Sequence, residues 1–300
     1  MTPLTCDLWW GDITATTPDQ MRALHGMLNA EERQRHAGYR LQADKDRFAL
    51  ARGLARLAVG RAAGIAAKSV AFDLLCFACE RGEPAHKLGP HGKPRPSGPA
   101  EGVEISFSHS GDRVLLAMTR GVAVGADVQQ VRGIALGPDS LADDLLNEAE
   151  MAHYTRLDPE QRQDAFFTLW SRKEALVKAT REGIKGVTEV TISPPGAPIE
   201  VHAWDSPHAP PPGHVQLADV PAGDDYRAAV AVLTPRPLEI AVGDTAELLR
   251  DLPNAPARTD RRGAGTRRAE GRAETRTAPA ARRPSPAAAP RHRQGPSAAR

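Results

Sequence analysis

Two carboxylates and a lysine form the strongest candidate for a reactive site in this sequence. Asp127 comes at the end of an apolar segment, residues 122–128, which predicts a strand. Glu174 and Lys178 are one turn apart in a segment with helical periodicity, so their side chains share a helix face. A carboxylate in an apolar strand is costly to desolvate unless a cation or hydrogen bonds receive it. The pattern therefore indicates a site for Mg2+, which takes one or two carboxylates and completes its shell with water and substrate phosphate.

A purely structural role for the same side chains is also compatible with the sequence. The spacing of Glu174 and Lys178 is that of an ordinary salt bridge on a solvated helix face, which they share with Trp170. In that interpretation Asp127 only caps a turn. Spacing alone leaves the metal site and the salt bridge as alternatives.

The elements that would position these residues alternate between helices and strands, which predicts an α+β fold. Thr17 and Pro18 indicate a helix start, and Asn29 with Glu32 has the pattern of a capping box. A long helix is predicted over residues 44–63. The other predicted helices cover 141–154 and 165–179, and the predicted strands cover 70–74, 103–107, 113–119, 122–128, 187–192, 199–204, 215–220 and 226–233.

A weak internal repeat bears on the architecture. Asp46 and Phe48 begin a helix that is followed by a Gly-Ile pair and a predicted strand, and Asp164 and Phe166 begin a second such series. Two similar halves packed about an approximate twofold axis would explain the repeat. A chance similarity between two amphipathic helices is the alternative.

The charge distribution and the C-terminal composition suggest three regions. Residues 251–300 carry 12 Arg and 4 acidic side chains, so the first 250 residues have a formal charge of −6 and no basic face for nucleic acid. Periodic hydrophobicity ends near residue 245, and an Ala/Arg/Pro-rich composition cannot bury enough surface to order a chain. We therefore predict an N-terminal half (1–112), a C-terminal half with the metal site (113–244) and a disordered tail (245–300).

The sequence has no feature that predicts a membrane or an oxidising compartment. No apolar run approaches the roughly 20 residues that span a bilayer, and the N-terminus lacks the pattern of a signal peptide. Three cysteines are too few for a disulfide framework in a chain of this size. We expect a cytoplasmic protein.

A second cluster of metal-ligand residue types lies within the predicted N-terminal half of the chain. Cys76 and Cys79 have the Cys-x2-Cys spacing, and His86 and His91 follow. Zinc could use this spacing, although no helical or ribbon framework of a zinc module is evident. Zinc ligands and plain thiols both remain open at this point.

Two segments resemble the signatures of a known family, the 4'-phosphopantetheinyl transferases of the larger, monomeric type that activate polyketide and nonribosomal peptide synthetases such as surfactin synthetase. Residues 125–129 (GADVQ) are similar to the family's G-[IVA]-D-[IV]-E strand, and residues 170–178 (WSRKEALVK) to its W-x-x-K-E-[AS]-x-x-K helix. Supporting similarities occur at 47–56, 92–94 and 107–111.

The resemblance implies both a fold and an activity. The fold would be a pseudodimer of two α+β halves related by an approximate twofold axis, with coenzyme A in the cleft between them. The activity would be Mg2+-dependent transfer of the 4'-phosphopantetheine arm of coenzyme A to a serine of an apo acyl or peptidyl carrier protein, releasing adenosine 3',5'-bisphosphate. The protein would be a monomer whose partners are carrier protein domains, with no nucleic acid or membrane partner.

The resemblance also implies roles for individual residues. Asp127, Glu174 and Gln129 would hold Mg2+, and Lys178 would neutralise charge on the pyrophosphate. Glu150 would be a third acid, and either Glu150 or Glu174 would be the base for the serine hydroxyl. The residues implied to line the nucleotide are Arg47, Lys93, Ser108 and His109, with Arg47 and His109 near its 3'-phosphate.

Gln129 departs from the family pattern, which has a glutamate at this position in many members. A glutamine carbonyl can ligate Mg2+, but the lost negative charge should weaken metal binding. We expect an active enzyme with a higher magnesium requirement. The alternative is a catalytically impaired relative that binds carrier protein or coenzyme A without turnover.

Overall fold

A computed structural model describes residues 2–81, 91–131, 139–211 and 213–252 of the chain. Helices and strands alternate along these residues, which confirms the predicted α+β class. The helices are α1 (Pro18–Gly26), α2 (Ala30–Gly38), α3 (Gln42–Ala63), α4 (Phe77–Glu80), α5 (Asp139–Leu145), α6 (Glu148–Tyr154), α7 (Pro159–Thr180) and α8 (Thr245–Leu249). The strands are β1 (Leu4–Asp12), β2 (Ala71–Leu75), β3 (Lys93–Ser97), β4 (Val103–Ser110), β5 (Arg113–Arg120), β6 (Val124–Gln130), β7 (Val190–Ile192), β8 (Val201–Trp204), β9 (Gln216–Asp219), β10 (Tyr226–Val232) and β11 (Leu238–Val242).

Local sequence signals define several helix ends as predicted. The Thr17 side chain caps α1 and the Asn29 side chain caps α2, each in a complete capping box with the residue three positions later. Gly64, with φ of 68°, ends α3 in the left-handed conformation that glycine adopts without strain. The predicted helix over 141–154 is two helices, because Asn147 caps α6 and so separates it from α5.

One order of elements occurs twice in the described residues. A strand, two short helices, a 22-residue helix and four strands follow one another as β1, α1–α3, β2–β5, with α4 inserted, and again as β6, α5–α7, β7–β10. Each copy contains a three-stranded antiparallel arrangement, β1-β5-β4 or β6-β10-β9, and a separate antiparallel pair, β2-β3 or β7-β8. The similarity noted in the sequence thus extends to the topology.

The two main sheets pack against each other and are covered by the two long helices. Side chains alternate along a strand, so one face of each sheet contacts the other sheet and the opposite face contacts a helix. On β6, for example, Val124, Ala126 and Val128 contribute to the inter-sheet cluster. Asp127, the residue between the last two, faces the helix side, where α7 contributes Leu176 and Val177 to a separate core.

The strand pairing changes the boundary that the sequence suggested between the halves. A boundary after residue 112 would separate β4 from β5, which pair with each other from Val103↔Arg120 to Ser110↔Arg113. The C-terminal strand β11 pairs in parallel with β1, so the first sheet has the order β11-β1-β5-β4. The first sheet therefore contains strands from both predicted halves.

The predicted tail begins too early in the sequence. Residues 245–249 form α8, whose N-cap is Asp244. Leu248 is fully buried in the core beneath α3, and Arg61 of α3 forms salt bridges with Glu247 and Asp251. A short helix with a single buried leucine has little periodicity, so the sequence did not indicate it. Residues 253–300, the rest of the predicted tail, lie outside the described residues.

Strands β1, β3 and β11 were not predicted. β3 contains Pro94 and Pro96, residues that lack an amide donor and argue against a strand, yet β3 pairs only with β2 and needs donors on one side. The helices within the described ranges include none long and apolar enough to cross a membrane.

Candidate active site

Asp127 lies at the centre of the candidate site. It is the fourth of seven residues of β6, rather than at a strand end as predicted, and it is only 1% exposed. Its Oδ1 accepts hydrogen bonds from Ser108 Oγ at 2.6 Å and from Lys178 Nζ at 2.5 Å. A buried carboxylate needs such donors, and these come from two other elements, β4 and α7. The burial excludes the prediction that Asp127 merely caps a turn.

Gly125 explains why α7 can approach Asp127 so closely. A Cβ atom at this position would overlap the carbonyl oxygen of Ala175 and lie 2.6 Å from the amide nitrogen of Ala179. Both obstacles are backbone atoms of α7, which cannot rotate away as a side chain can. A glycine two residues before Asp127 therefore lets strand and helix touch, which gives a physical reason for the Gly-x-Asp spacing.

Lys178 binds Asp127, not Glu174 as the simple helix-face salt bridge would require. Its Nζ also lies 3.1 Å from Ser108 Oγ and 3.3 Å from the carbonyl oxygen of Ala126. The lysine side chain thus reaches across from α7 to both β4 and β6. This geometry favours the site interpretation of the sequence pattern over the surface salt bridge.

Glu174 and Gln129 also lie near Asp127, and both carry oxygen atoms that could ligate a metal ion. Burial raises the pKa of Glu174, the positive charge of Lys178 opposes that rise, and the negative charge of Asp127 adds to it. Two carboxylates this close together would be stabilised by a shared cation. Gln129 Nε2 donates to Asp127 Oδ2 at 2.8 Å, which brings its amide group to the same position.

Three serines of β4 hold the two sheets together beside this group. Ser106 Oγ accepts from the amide of Ala126 at 3.0 Å, and Ser110 Oγ accepts from the amide of Gln130 at 3.0 Å. Ser108, between them, donates to Asp127. The edge strands β4 and β6 are thus joined through side chains rather than by a backbone ladder. Ser106 and Ser110 were missed by sequence reasoning, although their period of two with Ser108 was a visible signal.

Lys93, the first residue of β3, adds a second amine to the site. Its Nζ donates to the carbonyl oxygen of Val124 at 2.5 Å, at the start of β6. Burial lowers the pKa of Lys93 to about 8; Glu104 opposes this change, whereas the nearby charges of Arg181 and Lys178 add to it. The structure therefore brings the predicted residues Lys93 and Lys178 together.

Arg47 of α3 and His109 of β4 lie beside the turn between β4 and β5. The Arg47 guanidinium donates to the carbonyl oxygen of Gly111 and to the Asp44 carboxylate. The His109 side chain is exposed at its outer side, but partial desolvation by the surrounding protein lowers its pKa, and the positive charges of Arg47 and Lys178 lower it further. Arg47 and Lys178 therefore both lie close enough to His109 to influence its pKa.

Glu150, predicted as a third acid and as an alternative base, is not part of this group. It is the third residue of α6 and 5% exposed, and its Oε2 forms an ion pair with Lys173 Nζ. Its Oε1 accepts from the amide of Ile192 at 3.0 Å, and Oε2 also accepts from the amide of Asn147 at 3.2 Å. Both oxygens are engaged in the core around α6 and α7, so the structure does not support Glu150 as a catalytic residue.

Comparisons with known proteins agree with the geometry. The sequence model described as the 4'-phosphopantetheinyl transferase superfamily matches residues 123–231. The 4'-phosphopantetheinyl transferase HetI of Nostoc sp. is 28% identical, over 71% of this chain and 81% of its own length. The 4'-phosphopantetheinyl transferase of Bacillus subtilis is 24% identical, over 74% of this chain and 88% of its own length. The AcpT protein of Salmonella typhimurium is 36% identical, over 32% of this chain and 48% of its own length.

The matched segment contains Asp127, Gln129, Glu174 and Lys178, the residues that form the oxygen donors and the central amine of the site. The chain is thus similar, within residues 123–231 and over most of its length, to 4'-phosphopantetheinyl transferases of the larger type. Site and similarity together support a transferase of the holo-[acyl-carrier-protein] synthase kind.

Proposed function

We propose that this enzyme transfers the 4'-phosphopantetheine arm of coenzyme A to a serine hydroxyl of an apo acyl or peptidyl carrier protein and releases adenosine 3',5'-bisphosphate. One observation carries the proposal: Asp127 of β6 is buried in contact with Lys178 of α7 and Ser108 of β4, and its negative charge reaches Glu174, where it adds to the rise in the pKa of that carboxyl. Such a group offers both a cation for phosphate and carboxylates for a metal ion.

The distribution of positive charge suits coenzyme A in particular. Coenzyme A carries a diphosphate and a separate 3'-phosphate, so its site needs cationic groups at two places. Lys178 and Lys93 lie beside β6 and would bind the diphosphate, with Ser108 as a hydrogen-bond donor. Arg47 and His109 lie beside the β4–β5 turn and would bind the 3'-phosphate.

Each residue has a definite task in the transfer. The carrier serine oxygen forms a bond to the phosphorus that bears pantetheine, and the bond from that phosphorus to adenosine 3',5'-bisphosphate breaks. The hydroxyl proton passes to Glu174, directly or through a water, because the oxygens of Asp127 already accept from three donors. Lys178 stabilises the negative charge on the departing phosphate.

Mg2+ fits the donor set of Asp127, Glu174 and Gln129, which consists of the hard oxygen ligands that this ion prefers. A carboxylate has about four acceptor positions, so Asp127 can bind a cation in addition to its three hydrogen bonds. The bound ion would supply charge neutralisation on the diphosphate. Gln129 contributes an uncharged ligand, for which we expect a comparatively high magnesium requirement.

The repeated order of elements supports a pseudodimer of two halves about an approximate twofold axis. We place the boundary between β5 and β6, since this keeps each three-stranded arrangement intact. Coenzyme A would then lie where β4 of the first half meets β6 of the second, and the carrier protein would approach the same cleft. We expect a monomer, because one chain supplies residues from both sides of that cleft.

The direct test is a change in carrier mass. Purified protein is incubated with an apo carrier protein, coenzyme A and Mg2+, and the carrier is weighed intact by mass spectrometry. We expect the mass of the arm to be added by the wild type and by Asp143→Asn, an exposed acid on α5 that serves as the control. The gain should disappear in Asp127→Asn and Glu174→Gln, each of which removes one charge at nearly constant size.

Two results would contradict the proposal. The first is a folded wild type that binds carrier protein or coenzyme A without adding the arm, which would identify the alternative binding module. The second is unaltered transfer by Asp127→Asn, which would remove the site assignment even if the activity were present.

A further inference from the structure

A second group of potential metal ligands lies outside the site described above. The ligand atoms of Cys76, Cys79 and His91 all lie within 4.8 Å of one another, and Cys79 Sγ is 3.2 Å from His91 Nε2. Cys76 directly follows β2, Cys79 belongs to α4, and His91 comes two residues before β3. Three side chains from separate points of the chain therefore converge at one end of the β2–β3 pair.

We propose that Cys76, Cys79 and His91 bind a structural Zn2+ ion. Two thiolates and an imidazole are ligands that zinc prefers, and Zn–S bonds of about 2.3 Å with Zn–N bonds of about 2.0–2.1 Å give ligand atoms about 3.5–3.8 Å apart in a tetrahedron. The observed separations are within reach of that geometry through small side-chain rotations. A fourth position would be completed by water or by another side chain; His86 lies outside the described residues and is not needed for the inference.

The position of the site gives the ion a structural task. Residues 75 and 93 are paired at the end of the β2–β3 ladder, so the ion would close the long connection between these strands just beyond their last pair. Closing a loop with a metal restricts the unfolded chain and thereby stabilises the folded one. The ion would also fix the backbone immediately before Lys93. An effect of the ion on coenzyme A binding through Lys93 rests on the proposed function, whereas the zinc site itself does not.

Metal content provides the first test. The full-length protein is purified without chelators under reducing conditions, and its zinc is measured by inductively coupled plasma mass spectrometry. We expect about one zinc per chain in the wild type and a loss of most of it in Cys79→Ser and in His91→Ala. Cys6→Ala is the matched control, because Cys6 is fully buried in β1 and should leave the zinc content unchanged.

Cobalt and thiol chemistry test the ligands independently of stability. Apo protein titrated with Co2+ should develop the visible absorption and the thiolate charge-transfer bands of a tetrahedral sulfur site, and Cys79→Ser should lack most of that signal. A thiol reagent at pH 8 should label Cys76 and Cys79 only after zinc is removed. Cys6 should resist labelling in both states, because burial raises its pKa to about 12.

The outcomes separate cleanly. Zinc in the wild type and its loss in the two ligand variants support the proposal, whether or not the protein transfers phosphopantetheine. Reduced, metal-free wild type that fails to take up Zn2+ or Co2+ overturns it, as does a Cys76–Cys79 disulfide in freshly purified protein. Full zinc content in Cys79→Ser also overturns it, since the ion would then be bound elsewhere. If zinc is present, its removal should also raise the KM for coenzyme A more than the KM for carrier protein.

Discussion

The two copies of the repeated order of elements, β1 to β5 and β6 to β10, are called the two halves here, and both use a buried glutamate in the same way. Glu32 in α2 and Glu150 in α6 are each the third helical residue (N3) in a capping box, and they are 8% and 5% exposed. Each forms a salt bridge with the long helix of its own half. Glu32 pairs with Arg56 and lies 3.6 Å from Arg52, and Glu150 pairs with Lys173. In both halves the glutamate thus joins a short helix to the long helix through a salt bridge.

The halves differ in the residues that they contribute to the candidate active site. The second half adds Asp127 and Glu174, the acidic residues of the site, on β6 and α7. The first half adds Arg47, Lys93 and the hydroxyl of Ser108. The repeated topology therefore carries a fold-supporting acid in both halves, and the acids of the site occur in one half only. A buried glutamate in this chain is not by itself a sign of catalysis, and Glu150 is the residue for which the sequence was misleading.

The largest effect is expected when the glutamate of the second half loses its charge. Glu150→Gln keeps the capping box, because glutamine can make the same backbone hydrogen bond. It leaves the ammonium of Lys173, which is 0% exposed, without a partner charge. Removing one member of a buried ion pair costs about 3–5 kcal/mol, so we expect a loss of that size in the free energy of unfolding measured with urea.

The corresponding change in the first half sharpens the comparison. Glu32→Gln should cost less, about 1–3 kcal/mol, because the arginines keep favourable contacts with aromatic rings. The guanidinium of Arg52 lies 5.1 Å from the ring centre of Phe107, and that of Arg56 lies 4.9 Å from the ring centre of Phe72. As a control, Glu150→Gln combined with Lys173→Met should recover most of the lost stability. Equal costs in the two halves would contradict this account.

The sequence predicted what local patterns determine and missed what distant pairing determines. The helix start at Thr17 and the capping box of Asn29 were correct, since such signals act over three residues. Asp127 and Lys178 belong to the two sequence motifs, and the structure brings them into contact. The parallel pairing of β11 with β1 joins residues more than 200 positions apart, and no local pattern encodes that contact.

The error over Glu150 has a similar physical origin. An acid located in sequence between two site motifs is a reasonable candidate for the site. Its actual partner, Lys173, is one residue before Glu174, but successive residues on a helix point in directions about 100° apart. Lys173 therefore faces the core of the second half while Glu174 faces β6. Spacing alone could not distinguish these two faces.

Gly125 and Gly53 each lie against a neighbouring helix, but the atoms that an added methyl group would meet differ between them. Gly125→Ala places a methyl group against backbone atoms of α7, so it should destabilise the protein by about 1–3 kcal/mol and reduce transfer by displacing Asp127. Gly53→Ala in α3 would meet the end of the Leu24 side chain, which can rotate, and alanine favours the helix by about 1 kcal/mol. Thermal melts of both variants test this order, and a larger loss for Gly53→Ala would contradict it.

The cationic contribution of the first half is tested by Arg47→Gln. We expect the KM for coenzyme A to rise about tenfold, equivalent to about 1.4 kcal/mol, with little change in kcat, because a contact to the 3'-phosphate would be present before and during transfer. Dephospho-coenzyme A, which lacks that phosphate, should be used equally well by wild type and variant. Arg22→Gln, on the exposed face of α1, is the charge-matched control. A tenfold loss that persists with dephospho-coenzyme A would assign Arg47 another role.

The smallest effect is expected from Gln129→Glu, which adds a third acid to the half that already carries the other two. In the wild type the Gln129 amide donates to Asp127, and glutamate would replace that donor with a negative charge. Without metal the added repulsion should lower the melting temperature, whereas bound Mg2+ should be held more tightly by the extra charge. We expect the Mg2+ concentration for half-maximal transfer to fall about threefold and the variant to gain more thermal stability from Mg2+ than the wild type does. Titration of Mn2+ followed by electron paramagnetic resonance would measure the affinity directly. An unchanged affinity would mean that residue 129 only orients Asp127 and that the carboxylates of β6 and α7 bind the ion without it.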